Sequence, residues 1–252
     1  MTKNTDVVKV EPAGALVPDF IRRGDTRGAE QIQNTDLRMP RLALAQGLSP
    51  ELDPTSPKYV KGLVNGDVFN NLTGEIYIHQ GESVEVVVVR AEKTRFIEFN
   101  PREAGGGVRD RDVPVNDPRT KFTKDVNGDP VKPIATKFME YVALLLRPSL
   151  PPEPIVLSFK GSGLGTAGTL STLIKLAGSK HGGVPAFAFV YRLTATTETK
   201  PQGKYAAFAL RLVGPVDEST YNFAGAFYDS ILDKVVETER EHPEGEDKDI
   251  PF

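Results

Sequence analysis

From Ser83 to Asn100 the chain reads SVEVVVVRAEKTRFIEFN, a run dominated by β-branched and aromatic side chains. Such side chains lose rotamer freedom on a helix and pack well on a pleated surface. The period is two, because Arg95, Ile97 and Phe99 share one side while Phe96 and Glu98 share the other. The run therefore predicts one long strand or a broken pair, and a strand of that length needs neighbours along its edges.

The rest of the chain supplies them in hairpin-length pieces. Val68 to Ile78, with Asn-Leu-Thr-Gly in its middle, predicts a short hairpin or a bulged strand. Lys137 to Arg147 and Glu153 to Gly161 read as strands joined by a Pro-rich turn. Thr169 to Ala177 reads as an amphipathic helix stopped by Gly178. Ala186 to Thr197 and Lys204 to Val213 form a long hairpin around Lys200-Pro201-Gln202-Gly203. From Asp217 to about Val236 a second helix is expected, capped by Asp217 or Ser219, with Tyr221, Ala224, Phe227, Tyr228 and Ile231 as its apolar stripe. Strands outnumber helices, so the fold class is mainly β. One helix falls between the fourth and fifth strand runs, which suits an OB-like antiparallel Greek-key barrel with an inserted helix and a C-terminal helix. A sandwich of the same strand count satisfies the periodicity equally well.

Three segments lie outside that pattern. Residues 1–60 mix Gly, Pro, Asn and charges around one short apolar piece, Leu42 to Leu48, and read as an irregular N-terminal arm over a body at 61–236. Residues 101–133, within the body, show almost no apolar pattern and include Gly105-Gly106-Gly107 and an Asn127-Gly128-Asp129 turn. That is long for a connector, and such loops are usually functional or disordered. Residues 237–252 form an acidic tail, expected to be disordered.

The chain has no Cys and no Trp. Disulfides, thiolate metal sites and cysteine nucleophiles are excluded, and packing alone must hold the fold. Its three histidines, His79, His181 and His242, are far apart, which argues against a metal centre or a Ser-His-Asp triad. The N-terminus lacks the apolar core of a signal peptide, and no run approaches the roughly 18 apolar residues of a membrane span. A soluble cytoplasmic protein with no membrane partner is expected.

Net charge, −3 overall, is unevenly distributed. Residues Glu237 to Phe252 carry −5, whereas Val86 to Arg211 carry +8. A basic body with an acidic tail suits a polyanionic partner better than the total does.

The last residues, Glu-Gly-Glu-Asp-Lys-Asp-Ile-Pro-Phe (Glu244 to Phe252), resemble the acidic C-terminal tip of bacterial single-stranded DNA-binding proteins; Asp249, Ile250, Pro251 and Phe252 are the telling four. The body resembles a family of phage proteins identified as OB-fold single-stranded DNA-binding proteins. That likeness runs through Gly66-Asp67-Val68-Phe69-Asn70-Asn71-Leu72-Thr73-Gly74-Glu75, the triple-glycine loop, and Leu157-Ser158-Phe159-Lys160 with Ser162-Gly163-Leu164. Some of those relatives carry Cys in the loop region; this sequence has none, so no metal is implied. The resemblance implies coating of single-stranded DNA in phage replication, recombination or repair, with capture of partner proteins through Glu246, Asp247, Asp249, Ile250, Pro251 and Phe252. A terminal Phe offers a ring and a carboxylate together, suited to an apolar pocket edged by a cation.

Binding single strands without sequence preference needs cations for phosphates and exposed rings for bases. Basic and aromatic residues interleave at 90–99, 119–124, 137–141 and 191–211. The expected contacts are Arg90, Lys93, Arg95, Phe96, Arg102, Arg109, Arg111, Lys121, Phe122, Lys137, Lys160, Tyr191, Arg192, Lys204, Tyr205 and Arg211. Phe96, Phe122, Tyr191 and Tyr205 are the rings expected to be partly exposed. Arg109 and Arg111 would act as a phosphate clamp on the long loop.

Enzyme motifs fail on context. Gly163-Leu-Gly165-Thr-Ala-Gly168 fits the spacing of a dinucleotide loop, yet a hairpin follows it and the next acid is Glu198. Asp110 with Asp112, and Asp247 with Asp249, read as solvated charge. No cofactor, no metal and no catalysis are expected. A strand-annealing or recombination mediator, or a structural phage protein that binds no DNA, are the alternatives, and a homo-oligomer is compatible with the DNA-binding reading.

Overall fold

The computed structural model describes residues 38–101, 106–200 and 203–232, with the side chains of Lys200 and Lys204 outside it. The N-terminal 37 residues, Arg102 and the whole acidic tail, Glu246 to Phe252 included, lie outside the described residues. The chain is mainly β, with two α-helices among the described residues.

Three short strands, β1 (Leu42–Leu44), β2 (Val68–Asn70) and β3 (Ile76–Ile78), make a small antiparallel sheet in that order. The 68–78 run is thus a hairpin. The long period-two run is a broken pair, β4 (Ser83–Ala91) and β5 (Arg95–Phe99). Both halves lie along one edge of β9 (Ala135–Leu146), Glu85 opposite Leu146 at one end and Glu98 opposite Ala135 at the other. The other edge of β9 takes β10 (Glu153–Lys160), in register from Glu153 opposite Leu145 to Lys160 opposite Phe138. After α1 (Leu164–Lys180), β11 (Phe189–Lys200) pairs with β4 and then with β12 (Gly203–Pro215). Taking β4 and β5 as one strand, the five long strands lie in the chain order third, second, first, fourth, fifth, with a helix between third and fourth. That is the connectivity of the OB fold.

Inward side chains alternate along every strand. Val84, Val86 and Val88 meet Tyr141, Ala143 and Leu145, Ile155, Leu157 and Phe159, and Tyr191, Leu193 and Ala195, with Ala167 and Leu170 of α1 closing one end. The outer face of β4 and β9 is buried as well, because α2 (Glu218–Ile231) lays Ala224, Phe227 and Ile231 on Val87, Val89, Val142 and Leu144. Asp217 caps α2, accepting from the Thr220 backbone N–H at 2.9 Å.

Two expectations change here. The barrel does not close by strand pairing, since β10 and β12 are not partners. Residues of the supposed arm fill that seam instead: the Val156 N–H donates to Pro40 O at 2.8 Å, and Gln46 holds both sides of Ala206 on β12, donating to its O at 2.9 Å and accepting from its N–H at 3.1 Å. Leu42 and Ala45 are buried. The packed body therefore includes the chain from Arg38 on, and the prolines that suggest a boundary at residue 60 punctuate a segment only three residues of which are strand.

Tyr191 is the second change. Expected as a stacking ring, it is wholly buried on the inward face, its hydroxyl without a hydrogen-bond partner among the described residues, and burial pushes its pKa up to about 12. An unsatisfied buried hydroxyl costs about 1–3 kcal/mol. Tyr191→Phe is accordingly expected to keep or raise stability, by up to about 1 kcal/mol in urea unfolding; a loss above that size would show that the hydroxyl has a partner.

Candidate nucleic-acid interface

The register of β5, β9 and β10 sets three side chains in a row on the outer face. Arg95 is opposite Phe138, and Phe138 is opposite Lys160. The next row is Glu140 beside Ser158. Glu140 is almost fully buried and accepts from Arg95 Nε at 3.1 Å and from Ser158 Oγ at 3.0 Å. A buried carboxylate needs such partners, and in return it fixes the plane of the guanidinium. Lys160 Nζ lies 5.4 Å from the centre of the Phe138 ring, a cation–π contact that covers a side chain only 3% exposed. Phe99 tilts against Phe138 with centroids 6.3 Å apart. Lys93, in the break between β4 and β5, is exposed nearby along the chain.

The 101–133 segment is built more than its sequence suggests. It contributes β6 (Val108–Asp110), which pairs with β5, then a hairpin of β7 (Thr123–Lys124) and β8 (Pro130–Val131). Gly128 turns that hairpin at φ +87°, as the Asn-Gly-Asp pattern predicts. Its base is clamped by charge. Glu98, buried on β5, accepts from Arg109 at 2.9 Å and Arg119 at 2.6 Å, and Arg119 also reaches Asp110 at 3.1 Å and Asp117 at 2.8 Å. The hydrogen bonds from Arg119 hold the Asp117 carboxyl down to about 2. Arg109, expected as half of a mobile clamp, is thus engaged with Glu98, while Arg111 is exposed. Beyond the clamp the hairpin is bare: Lys121, Phe122, Lys124, Val126 and Lys132 are all exposed, Phe122 to 71%.

The other expected contacts scatter. Phe96 is packed with Val113 and Ala135 beneath the loop at 9% exposure, a correction to its place among the partly exposed rings: strand alternation turns it away from Arg95. Arg90 pairs with Glu92 at 2.7 Å and donates to the Ile231 carbonyl, tying down the end of α2. Arg192 pairs with Glu85 across β11 and β4, Nε to Oε1 at 3.0 Å. Tyr205, half-buried, donates to Glu198 across the hairpin, and Arg211 is exposed on β12. Lys137 is exposed on the opposite face of β9 from Phe138. Of the expected set, the structure brings together Arg95 and Lys160. It adds Phe138 and Glu140 between them, which only the pairing register reveals.

Among the described residues no group of acidic or histidine side chains is arranged to hold a metal ion, and no helix is long and apolar enough to cross a membrane. The fold and its outer row define a β-rich protein of OB connectivity. A family model described as Pam3 phage gp34-like protein matches residues 10–237, and the chain belongs to that family, a family of phage proteins. Asp249 to Phe252 fall outside the matched residues. No curated protein matches.

Proposed function

We propose that this protein is a single-stranded DNA-binding protein that coats and protects exposed strands during phage replication, recombination or repair in the host cytoplasm, and that it recruits partner proteins through its acidic C-terminal tip. The observation that carries the reading is the row Arg95–Phe138–Lys160 on the outer face of the first three strands of an OB connectivity, Phe138 and Lys160 lying on the second and third, whose face such folds use for oligonucleotides. Lys160 swings from the Phe138 ring to a phosphate, a base takes its place on the ring, and Arg95, held by Glu140, meets the next phosphate. Each stacked base contributes about 1–3 kcal/mol. The role is binding, without a cofactor and without catalysis.

The upstream acids of the tail attract basic partner surfaces, and Phe252 supplies the ring and terminal carboxylate that a small cation-edged pocket captures. A competition experiment tests both halves. Labelled oligo-dT held by the protein should be displaced by unlabelled single strands and not by duplex, and removal of Asp249 to Phe252 should leave that affinity equal or tighter. Equal competition by duplex would refute the reading, and accelerated pairing of complementary strands in a timed assay would favour the annealing alternative.

A further inference from the structure

The β7–β8 hairpin exposes more apolar surface than a single strand of DNA calls for. Phe122 can stack on a base, but Val126 and Val131 in the hairpin, and Val115 and Ile134 to either side of it in the chain, have no ring, and each is at least 43% exposed. Aliphatic side chains of that kind gain chiefly by packing against protein. At the other end of β9, the beginning of α2 and the turn after β9 border an open cleft of about 400 Å³, lined by Leu146, Leu150, Pro152 and Phe223 together with Asp217, Ser219 and Thr220. Leu150 and Phe223 are exposed there. Arg147, also at the cleft, is outnumbered by Glu75 and Glu153, each at 2.6 Å, so together with Asp217 they leave this rim acidic.

We infer that Phe122 of one copy seats in the cleft of a second copy, joining molecules head to tail. Charge selects this occupant: Phe122 is flanked by Lys121 and Lys124, which match Asp217 and the excess carboxylate around Arg147, whereas the acidic C-terminal tail and DNA would both meet like charge at that rim. Geometry keeps the contact between molecules. Ala135, where the segment bearing the hairpin joins β9, and Leu146, at the cleft, are eleven steps apart along the strand, roughly 35 Å at about 3.3 Å each, and the base of that segment is held at β5 by Arg119 and Glu98. Knob and cleft are different surfaces, so each copy can give a knob to one neighbour and receive one from another, and the contact repeats from molecule to molecule in a row. Along a single strand such a row makes binding cooperative. That last consequence rests on the DNA-binding reading; the association itself does not.

The test uses the full chain in sedimentation velocity without DNA, up to about 100 µM, where a small interface registers. The wild type should show a sedimentation coefficient that rises with concentration. Phe122→Asp and Phe223→Asp, both on exposed positions, should each weaken association about tenfold or more, as truncation of an aromatic anchor does. Mixed together they should form a 1:1 complex and nothing larger, since one retains the cleft and the other the knob. A wild type that stays monomeric, a dimer that persists in both variants, or a mixture that fails to associate would overturn the inference. So would loss of association on deleting Asp249 to Phe252, which would give the cleft to the tail. With oligo-dT, Phe223→Asp should keep wild-type affinity for a short oligonucleotide and lose the sigmoidal isotherm on a long one; a sigmoid that survives would overturn the inference, while failure of the wild type to bind any oligo-dT would refute only the DNA-binding reading.

Discussion

Arg95→Gln combined with Lys160→Glu is expected to weaken binding to oligo-dT by about a hundredfold at moderate salt. Two phosphates are no longer neutralised, and the stack on Phe138 is deprived of the neighbour that draws the backbone to it; together these amount to about 3 kcal/mol. The slope of log affinity against log salt should become shallower by about 1 to 2, at about 0.7 for each phosphate left without its cation on a single strand. Arg95 also serves the buried Glu140, so the companion variant with Glu140→Gln, which removes the orphaned charge, should unfold at the wild-type temperature and still bind weakly. Arg192→Gln is the contrasting case. Its guanidinium is engaged with Glu85 on the far side of β4, and its removal should change affinity by less than about twofold. A larger effect from Arg192 or Arg211 than from the Arg95–Lys160 pair would move the interface to the β11–β12 hairpin.

The second large effect concerns the core. Tyr141 is fully buried, packs edge-on against Phe159 with centroids 6.0 Å apart, and its hydroxyl joins the barrel to α1, donating to the Ala167 carbonyl at 2.9 Å and lying 2.7 Å from Ser171 Oγ. Tyr141→Ala removes the ring from a site whose neighbours come from several strands and cannot collapse into the space, so a loss of about 3–5 kcal/mol is expected in denaturant unfolding. Tyr141→Phe keeps the packing and gives up only the hydrogen bonds, at a cost of about 1 kcal/mol. Similar losses for the two variants would mean that the hydroxyl, and not the ring, holds α1 against the barrel. The contrast with Tyr191 is instructive, because two inward tyrosines of the same barrel differ in whether the helix reaches the hydroxyl.

Local patterns in the sequence were enough to locate most elements. The period-two run at 83–100 is β4 and β5, the Asn127-Gly128-Asp129 turn closes the β7–β8 hairpin, and Asp217 caps the last helix, because each depends on residues within a few positions of one another. The features that escaped depend on partners far along the chain. Pro40 and Gln46 lie in the barrel seam because Val156 and Ala206 need hydrogen-bond partners, and nothing near residue 40 says so. Phe96 and Tyr191 interleave with basic residues along the chain, yet alternation turns both inward, and only the pairing of the neighbouring strands reveals which side is in. Glu140 is the least legible of the site residues, because an acid has no place in a pattern of cations and rings until the register sets it between Arg95 and Ser158. The +8 of the central body proved a poor guide to individual side chains, since Arg90, Arg119, Arg147 and Arg192 are spent on internal carboxylates.

The proposed hold on single-stranded DNA depends on phosphate neutralisation and base stacking together. Fluorescence titration of labelled oligo-dT with the full chain, repeated across a series of salt concentrations and against duplex of the same length, tests it most directly. Sub-micromolar affinity for oligo-dT is expected at low salt, of the order reached by a few stacked bases and phosphate contacts, with a steep linear loss against log salt and far weaker binding to duplex. No binding of oligo-dT at low salt, or equal affinity for duplex, would contradict it.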